Sequence, residues 1–111
     1  MDYDWVKELN YAVTVCSVEG KILYMNDKSA KTFEKRGGYD LIGKNLIDCH
    51  KKSSWDHILR MLKNKESNSY TITKEGQKKL IYQTPWYHNG EIGGLVELSI
   101  VLPEEMPHFV R

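Results

Sequence analysis

The side chains of this chain that could do chemistry are aromatic and thiol or imidazole groups, and no arrangement among them supports catalysis. No serine sits with a histidine and an aspartate on a strand-turn-helix elbow. Gly37-Gly38 and Gly93-Gly94 lack the spacing of a phosphate-cradling loop. Binding chemistry is better represented. Tyr24, Trp55, Tyr82 and Trp86 could wall a cavity for a small planar or apolar ligand. The same four could equally fill a core, since a buried tyrosine needs only one hydrogen-bond partner. Phe33, Leu59 and Leu98 join them as candidate pocket residues, with Cys49 and His50 as the polar members.

Cys49 and His50 are adjacent, so their side chains diverge and do not readily share one metal. His50 is left as the one metal-ligand candidate, as a lone axial ligand, or as a polar pocket group or loop brace. Cys49 reads as a small core residue. Lys28, Lys31, Lys35 and Arg36, then Lys44, Lys51 and Lys52, then Lys78 and Lys79 are interleaved with acids. No arginine–aromatic stripe accompanies them, so nucleic-acid binding is not expected.

Composition agrees with a binding module. At 111 residues the chain is long enough for one domain that buries roughly two-thirds of its unfolded surface. Sixteen basic and fifteen acidic residues leave a net charge of +1, too little to steer nucleic acid or anionic lipid. A hydrophobic fraction of 41% and a mean hydropathy of −0.55 are those of a soluble globule. No apolar run is long enough to span a membrane. The acidic start, with no basic and apolar leader, and two cysteines without CxxC spacing give a cytoplasmic expectation.

The elements that must position these residues are punctuated by tight turns. Glu19-Gly20 separates two short apolar runs, and Glu75-Gly76 and Asn89-Gly90 separate three longer ones. The pattern predicts strands over residues 11–18, 21–25, 69–74, 78–87 and 92–102. Ile22 and Tyr24 should share one face and Leu23 and Met25 the other. In the last strand Val96, Leu98 and Ile100 alternate with Glu97 and Ser99, giving one apolar and one wet face. Pro85 favours an edge, a bulge or a bend.

Between the strand groups, Asn26 is a good N-cap for a helix over 27–35. Asp40 to Gly43 reads as a single turn, and Asn45 can cap another holding Leu46, Ile47 and Cys49. Ser53 or Ser54 caps the strongest helix, 55–64, where Trp55, Ile58, Leu59 and Leu62 share one face. An amphipathic helix is expected over Asp2 to Asn10 within the N-terminal segment 1–10. Its Trp5, Val6 and Leu9 stripe must dock on the sheet or on a second copy, which makes these three the dimer-contact candidates. Residues 103–111, opened by Pro103, form an irregular tail.

In order and spacing these segments resemble the PAS (Per-Arnt-Sim) sensory family. Gly20 to Asn26 is similar to its second strand running into its first helix. Tyr39-Asp40-Leu41-Ile42-Gly43-Lys44-Asn45-Leu46 is similar to its "eelIGk-l" segment, and Thr84-Pro85 and Gly93 to Val101 match its closing strands. The resemblance covers residues 9–102. It implies an α+β fold, a five-stranded antiparallel sheet in the order 2-1-5-4-3 with helices packed on one face. A PAS domain would then span 11–102.

It also implies a non-catalytic sensory or signal-transduction module that binds a small ligand or a partner protein and signals through dimer or partner contacts. Homodimerisation, a signalling partner and a small-molecule ligand are the expected associations, with neither nucleic acid nor membrane among them. A ligand-free dimerisation adaptor is the alternative, and a haem-binding gas or redox sensor a third. Some family members hold haem through a histidine on the helix of His57, but His57 lies about 200° around that helix from Trp55 and should face solvent. The flavin branch needs a reactive cysteine segment that Ile47-Asp48-Cys49-His50 does not match, so no cofactor is expected. Where many members continue into an output helix, this chain has Val101-Leu102-Pro103-Glu104. It therefore reads as a stand-alone member, or as part of a longer chain.

Overall fold

The computed structural model describes residues 4–46 and 52–111. Strands β1 (Ala12–Ser17), β2 (Ile22–Met25), β3 (Asn68–Lys74), β4 (Gln77–His88) and β5 (Glu91–Val101) form one antiparallel sheet in the order β2-β1-β5-β4-β3. Helices α1 (Asp27–Thr32) and α2 (Lys52–Asn64), with 3₁₀ turns at Glu34–Arg36 and Gly38–Leu41, complete the described elements. Both late hairpins turn as their sequences require. Glu75 and Gly76 have φ of 52° and 77°, Asn89 and Gly90 have 51° and 82°, so both central residues are left-handed.

Pro85 lies past the end of β3, whose pairing with β4 stops at Asn68–Gln83, and a bulge follows between Trp86 and Tyr87. Its missing N–H therefore interrupts no ladder between β3 and β4. Residues 103–111 have no regular structure.

Asn26 does more than cap. Its Oδ1 accepts from the Ser29 N–H at 3.0 Å and from the Val13 N–H at 2.9 Å. Its Nδ2 donates to the carbonyls of Val6 at 3.0 Å and Tyr11 at 2.9 Å. One fully buried amide thus ties α1, β1 and the N-terminal segment together.

Those bonds explain why the N-terminal helix expected over 2–10 does not form in the described part, residues 4–10. The Lys7 carbonyl accepts from the Asp27 N–H at 2.9 Å and the Val6 carbonyl from both Asn26 and, in a turn-type bond at 3.2 Å, the Leu9 N–H, so neither makes a helical bond four residues on. The segment is a strap across α1, with Trp5 74% exposed and Val6 and Leu9 half-buried. Lys7 Nζ pairs with Asp27 at 2.9 Å, and the Tyr39 hydroxyl donates to the same carboxylate.

The Tyr39 hydroxyl, then Lys7, hold the Asp27 carboxyl below its ordinary value. Stability from a depressed carboxylate is complete above that ordinary value, about 3.9, and is lost as pH falls through the folded value. The Lys7 and Tyr39 amide shifts should therefore stay constant from about pH 5 to about pH 8 and move together below about pH 4. Asp27→Asn should abolish that transition in an NMR titration.

Two expectations fail locally. Alternation along β2 is broken by a bulge: Val15 pairs with Tyr24 and Cys16 with Ile22, so Leu23 is the extra residue. Ile22 and Met25 consequently share the buried side, packed with Leu41, while Leu23 is exposed. Helix α2 also starts by Lys52, so Ser53 and Ser54 lie in its first turn rather than capping Trp55. The turn expected to hold Ile47 and Cys49 lies outside the described residues. Asn45 bridges Lys21, and the Leu46 N–H donates to the Gly20 carbonyl.

A hollow with a polar floor as candidate functional site

Strand register decides which side chains meet the helical layer. Cys16 packs with Trp55, Ile58, Met61, Leu62 and Leu95 in one core cluster, which sets the helix-facing side of β1 and β5. Leu95, Glu97 and Ser99 share that side of β5, and their neighbours across the sheet are Cys16, Thr14 and Ala12 on β1 and Gln83 and Ile81 on β4. The apolar set Val96, Leu98 and Ile100 therefore points the other way, with Val13, Val15, Leu80, Tyr82 and Thr84 beside it, and of these Val13 is buried.

Between the floor and the helices lies a hollow of about 520 Å³. Its apolar walls come from Ile22, Met25, Phe33, Leu41 and Ile58, and its floor from Thr14, Ile81, Gln83, Leu95, Glu97 and Ser99. The wet face of β5 thus lines this hollow, with Glu97 and Ser99 half-buried.

The floor's polar groups are organised. Gln83 Nε2 donates to Glu97 Oε2 at 2.9 Å, and Gln83 Oε1 accepts a longer bond from Asn68 Nδ2 at 3.4 Å. Asn68 also reaches His57 Nε2 at 3.4 Å, and Arg60 reaches His57 Nδ1 at 3.1 Å. A neutral imidazole has one acceptor nitrogen, so it accepts from one of these two donors at a time. The chain of contacts runs from Glu97 inside to Arg60 at the surface. The Thr14 and Ser29 hydroxyls bond at 2.5 Å across the β1–α1 seam. Burial pushes the Cys16 thiol and the Tyr70 phenol up, and the Glu97 carboxylate adds to both shifts.

The candidate pocket residues are dispersed by this register. Phe33 lines the hollow. Trp55 belongs to the adjoining core cluster, its ring lying where a side chain on Gly20 would be, and Leu59 is 41% exposed on the outer flank of α2. Tyr82 and Leu98 face each other across β4 and β5 on the uncovered side. Trp86 covers Gly93 and donates its indole N–H to the Cys16 carbonyl at 3.0 Å. Tyr24 pairs with Val15 on β1, and its buried hydroxyl has no hydrogen-bond partner among the described residues. Tyr24→Phe should therefore leave the urea midpoint unchanged or raise stability by about 0.5–1 kcal/mol. Cys49 and His50 lie outside the described residues.

His57, expected to face solvent, instead lines the hollow. Met61 rather than Leu59 joins the buried stripe. With Trp55 at 0°, Met61 falls at about 240° and His57 at about 200°, so the stripe's centre swings toward His57. Gln83, Glu97 and Ser99 are floor residues that the sequence does not single out, and alternation with Val96, Leu98 and Ile100 is the signal that could have found two of them. No three metal-ligating side chains converge among the described residues, and no described helix is long and apolar enough to cross a membrane.

No protein-family model and no curated protein sequence matches the chain. Solved structures do. The PAS domain of the histidine kinase ThkA superposes with a TM-score of 0.66 at 20% identity, over 83% of this chain and 99% of that one. The chain has a PAS fold. The Aer2 receptor of Vibrio cholerae, a dual PAS-heme oxygen sensor, gives 0.62 at 15% identity over 84% of this chain and 95% of its own. The Vibrio cholerae VqmA dimer gives 0.71 at 15% identity over 90% of this chain, and VqmA bound to DPO gives 0.72 at 14% over 88%. This PAS fold spans about half of each VqmA chain, 49% and 54%. The sheet order and the one-sided helical layer are those implied by the sequence resemblance.

Proposed function

We propose that the chain is a non-catalytic PAS sensory module whose small-molecule ligand occupies the hollow between sheet and helices. The observation that carries this reading is the orientation of β5. Glu97 and Ser99 face the helical layer while Val96, Leu98 and Ile100 face away. Polar groups turned toward a dry core would cost free energy, whereas a hollow that takes a polar or part-polar guest needs them. A volume near 520 Å³ suits a small metabolite. VqmA, about half of whose chain this fold matches, has been solved bound to DPO, which supports a ligand reading.

Output would run through α1. Ser29 meets the floor at Thr14, and the Asn26 amide that caps α1 holds the N-terminal strap. A ligand that favours one arrangement of α1 would move the strap with it.

A second reading is supported by the uncovered face. Leu80, Val96, Leu98 and Ile100 are half-buried there and Tyr82 is exposed, a surface suited to a homodimer or a signalling partner; Trp5 is a further contact candidate. The VqmA dimer is consistent with it. Leu98→Lys should convert a dimer to a monomer in sedimentation velocity, and an unchanged mass would remove that reading.

The ligand reading is tested by native mass spectrometry and absorbance on freshly purified protein, followed by melting against a small-molecule panel. Added mass or a raised Tm is expected, worth about 2.7 kcal/mol at a hundredfold excess over Kd. Ser99→Leu, which fills the floor, should abolish it while leaving the fold cooperative. A Soret band would point to the haem alternative. No bound mass, no Tm shift and an inert Ser99→Leu would leave the adaptor reading in its place.

A further inference from the structure

Arg36, Lys74 and Lys79 line the hollow and also a second recess of about 460 Å³ beside it. Lys28, Lys31, Lys35 and Arg36 form one wall of that recess, and Lys74 and Lys79, flanking the β3–β4 turn, form the other. Glu34 and Glu75 are its acids, so six cations meet two carboxylates on a chain whose net charge is only +1. Among the described residues Lys7–Asp27 is the one ion pair, and none of the six takes part in it. Crowding unpaired cations into a concavity raises their mutual repulsion, which a bound anion relieves, and low-dielectric walls focus the field toward the opening. The sequence scatters these residues over about fifty positions; the fold gathers them where the hollow meets the recess.

We infer that the ligand of the hollow is a small organic anion. Its apolar body lies against Ile22, Phe33, Leu41 and Ile58, and its acidic group, a carboxylate, phosphate or sulfonate, sits against Arg36, Lys74 and Lys79. This deepens the sensory reading and rests on it. Arg36 can grip an oxyanion through two parallel N–H groups, and the two lysines supply charge without fixed geometry. Glu97, the carboxylate of the hollow, is not among the residues shared with the recess, and it is hydrogen-bonded by Gln83. It selects a body that carries an N–H or O–H donor.

Two fluorescent probes test this, 1-anilinonaphthalene-8-sulfonate and N-phenyl-1-naphthylamine. They share one aromatic body and one N–H and differ in the sulfonate. At low ionic strength the sulfonate probe should bind one-to-one and about 10-fold more tightly than the neutral one, a preference that shrinks as salt is added. Arg36→Gln/Lys79→Gln, its fold checked by near-ultraviolet circular dichroism, should bring the two affinities together. Ser99→Leu should weaken both. Equal or tighter binding of the neutral probe, or a preference that survives the double substitution, overturns the anion assignment and leaves the hollow as the ligand site. Sulfonate binding that Ser99→Leu does not touch locates the probe outside the hollow and also overturns it. Failure of both probes to bind counts against the hollow itself.

Discussion

Asn26→Ala is expected to lose about 3–5 kcal/mol of stability, the largest effect of any single truncation in this domain. Alanine deletes four hydrogen bonds at once, two donated and two accepted, all at 2.9–3.0 Å. The Asn26 side chain is fully buried, so the amides of Val13 and Ser29 and the Tyr11 carbonyl would lose partners that water cannot simply replace, while the half-buried Val6 carbonyl would keep only the Leu9 N–H. Helix α1 is only six residues long and depends on its cap more than a long helix would. Asn26→Asp should cost as much or more, because its carboxylate still accepts from Val13 and Ser29 but buries an unpaired charge against the Val6 and Tyr11 carbonyls. Urea denaturation of the three proteins checks both the size and the order. A loss below about 1 kcal/mol for Asn26→Ala would mean that the strap and α1 are not joined through this amide.

Gly94→Ala is expected to be nearly as damaging, again about 3–5 kcal/mol. Gly94 has φ of 155° and pairs with Ser17, so a Cβ there would run into the Cys16 carbonyl oxygen and the Ser17 backbone. The obstruction is main chain, and it cannot rotate away as a side chain could. It also strikes the carbonyl that accepts the Trp86 indole N–H, so the β1–β5 seam and the Trp86 brace should loosen together. Gly90 is the internal control. Its φ is 82° but nothing lies within 4 Å of a Cβ added there, so Gly90→Ala should cost only the left-handed penalty of about 1 kcal/mol. Equal losses at the two glycines in thermal or chemical unfolding would remove the close approach as the cause.

What a sequence pattern can encode is mostly local. Hairpin turns, the Asn26 cap and the apolar stripe of α2 are legible because a few neighbouring residues determine each. The face of β5 that meets the helices is not local. Alternation of Val96, Leu98 and Ile100 with Glu97 and Ser99 says that the faces differ, and the ordinary expectation turns the apolar one inward. Here the polar face turns inward, and Tyr82 and Leu98 therefore leave the pocket set.

The β2 bulge at Leu23 depends on pairing with β1, and the swing of His57 toward the hollow depends on Met61 entering the core in preference to Leu59. The N-terminal strap has helical periodicity in sequence, but Asn26 and Asp27 claim its carbonyls from more than fifteen residues away. The basic recess is likewise a product of tertiary structure, bringing α1 and its following turn up to the β3–β4 hairpin.

Entry of small molecules into the hollow on the helical side of the sheet is open to direct measurement. Methyl NMR of isoleucine-labelled protein under xenon pressure tests it even while the ligand is unidentified. Ile22, Ile58 and Ile81 line the hollow, whereas Ile100 lies on the uncovered face. Saturable shifts of Ile22, Ile58 and Ile81 with Ile100 unmoved are the predicted result. Shifts confined to Ile100, or none at all, would contradict it.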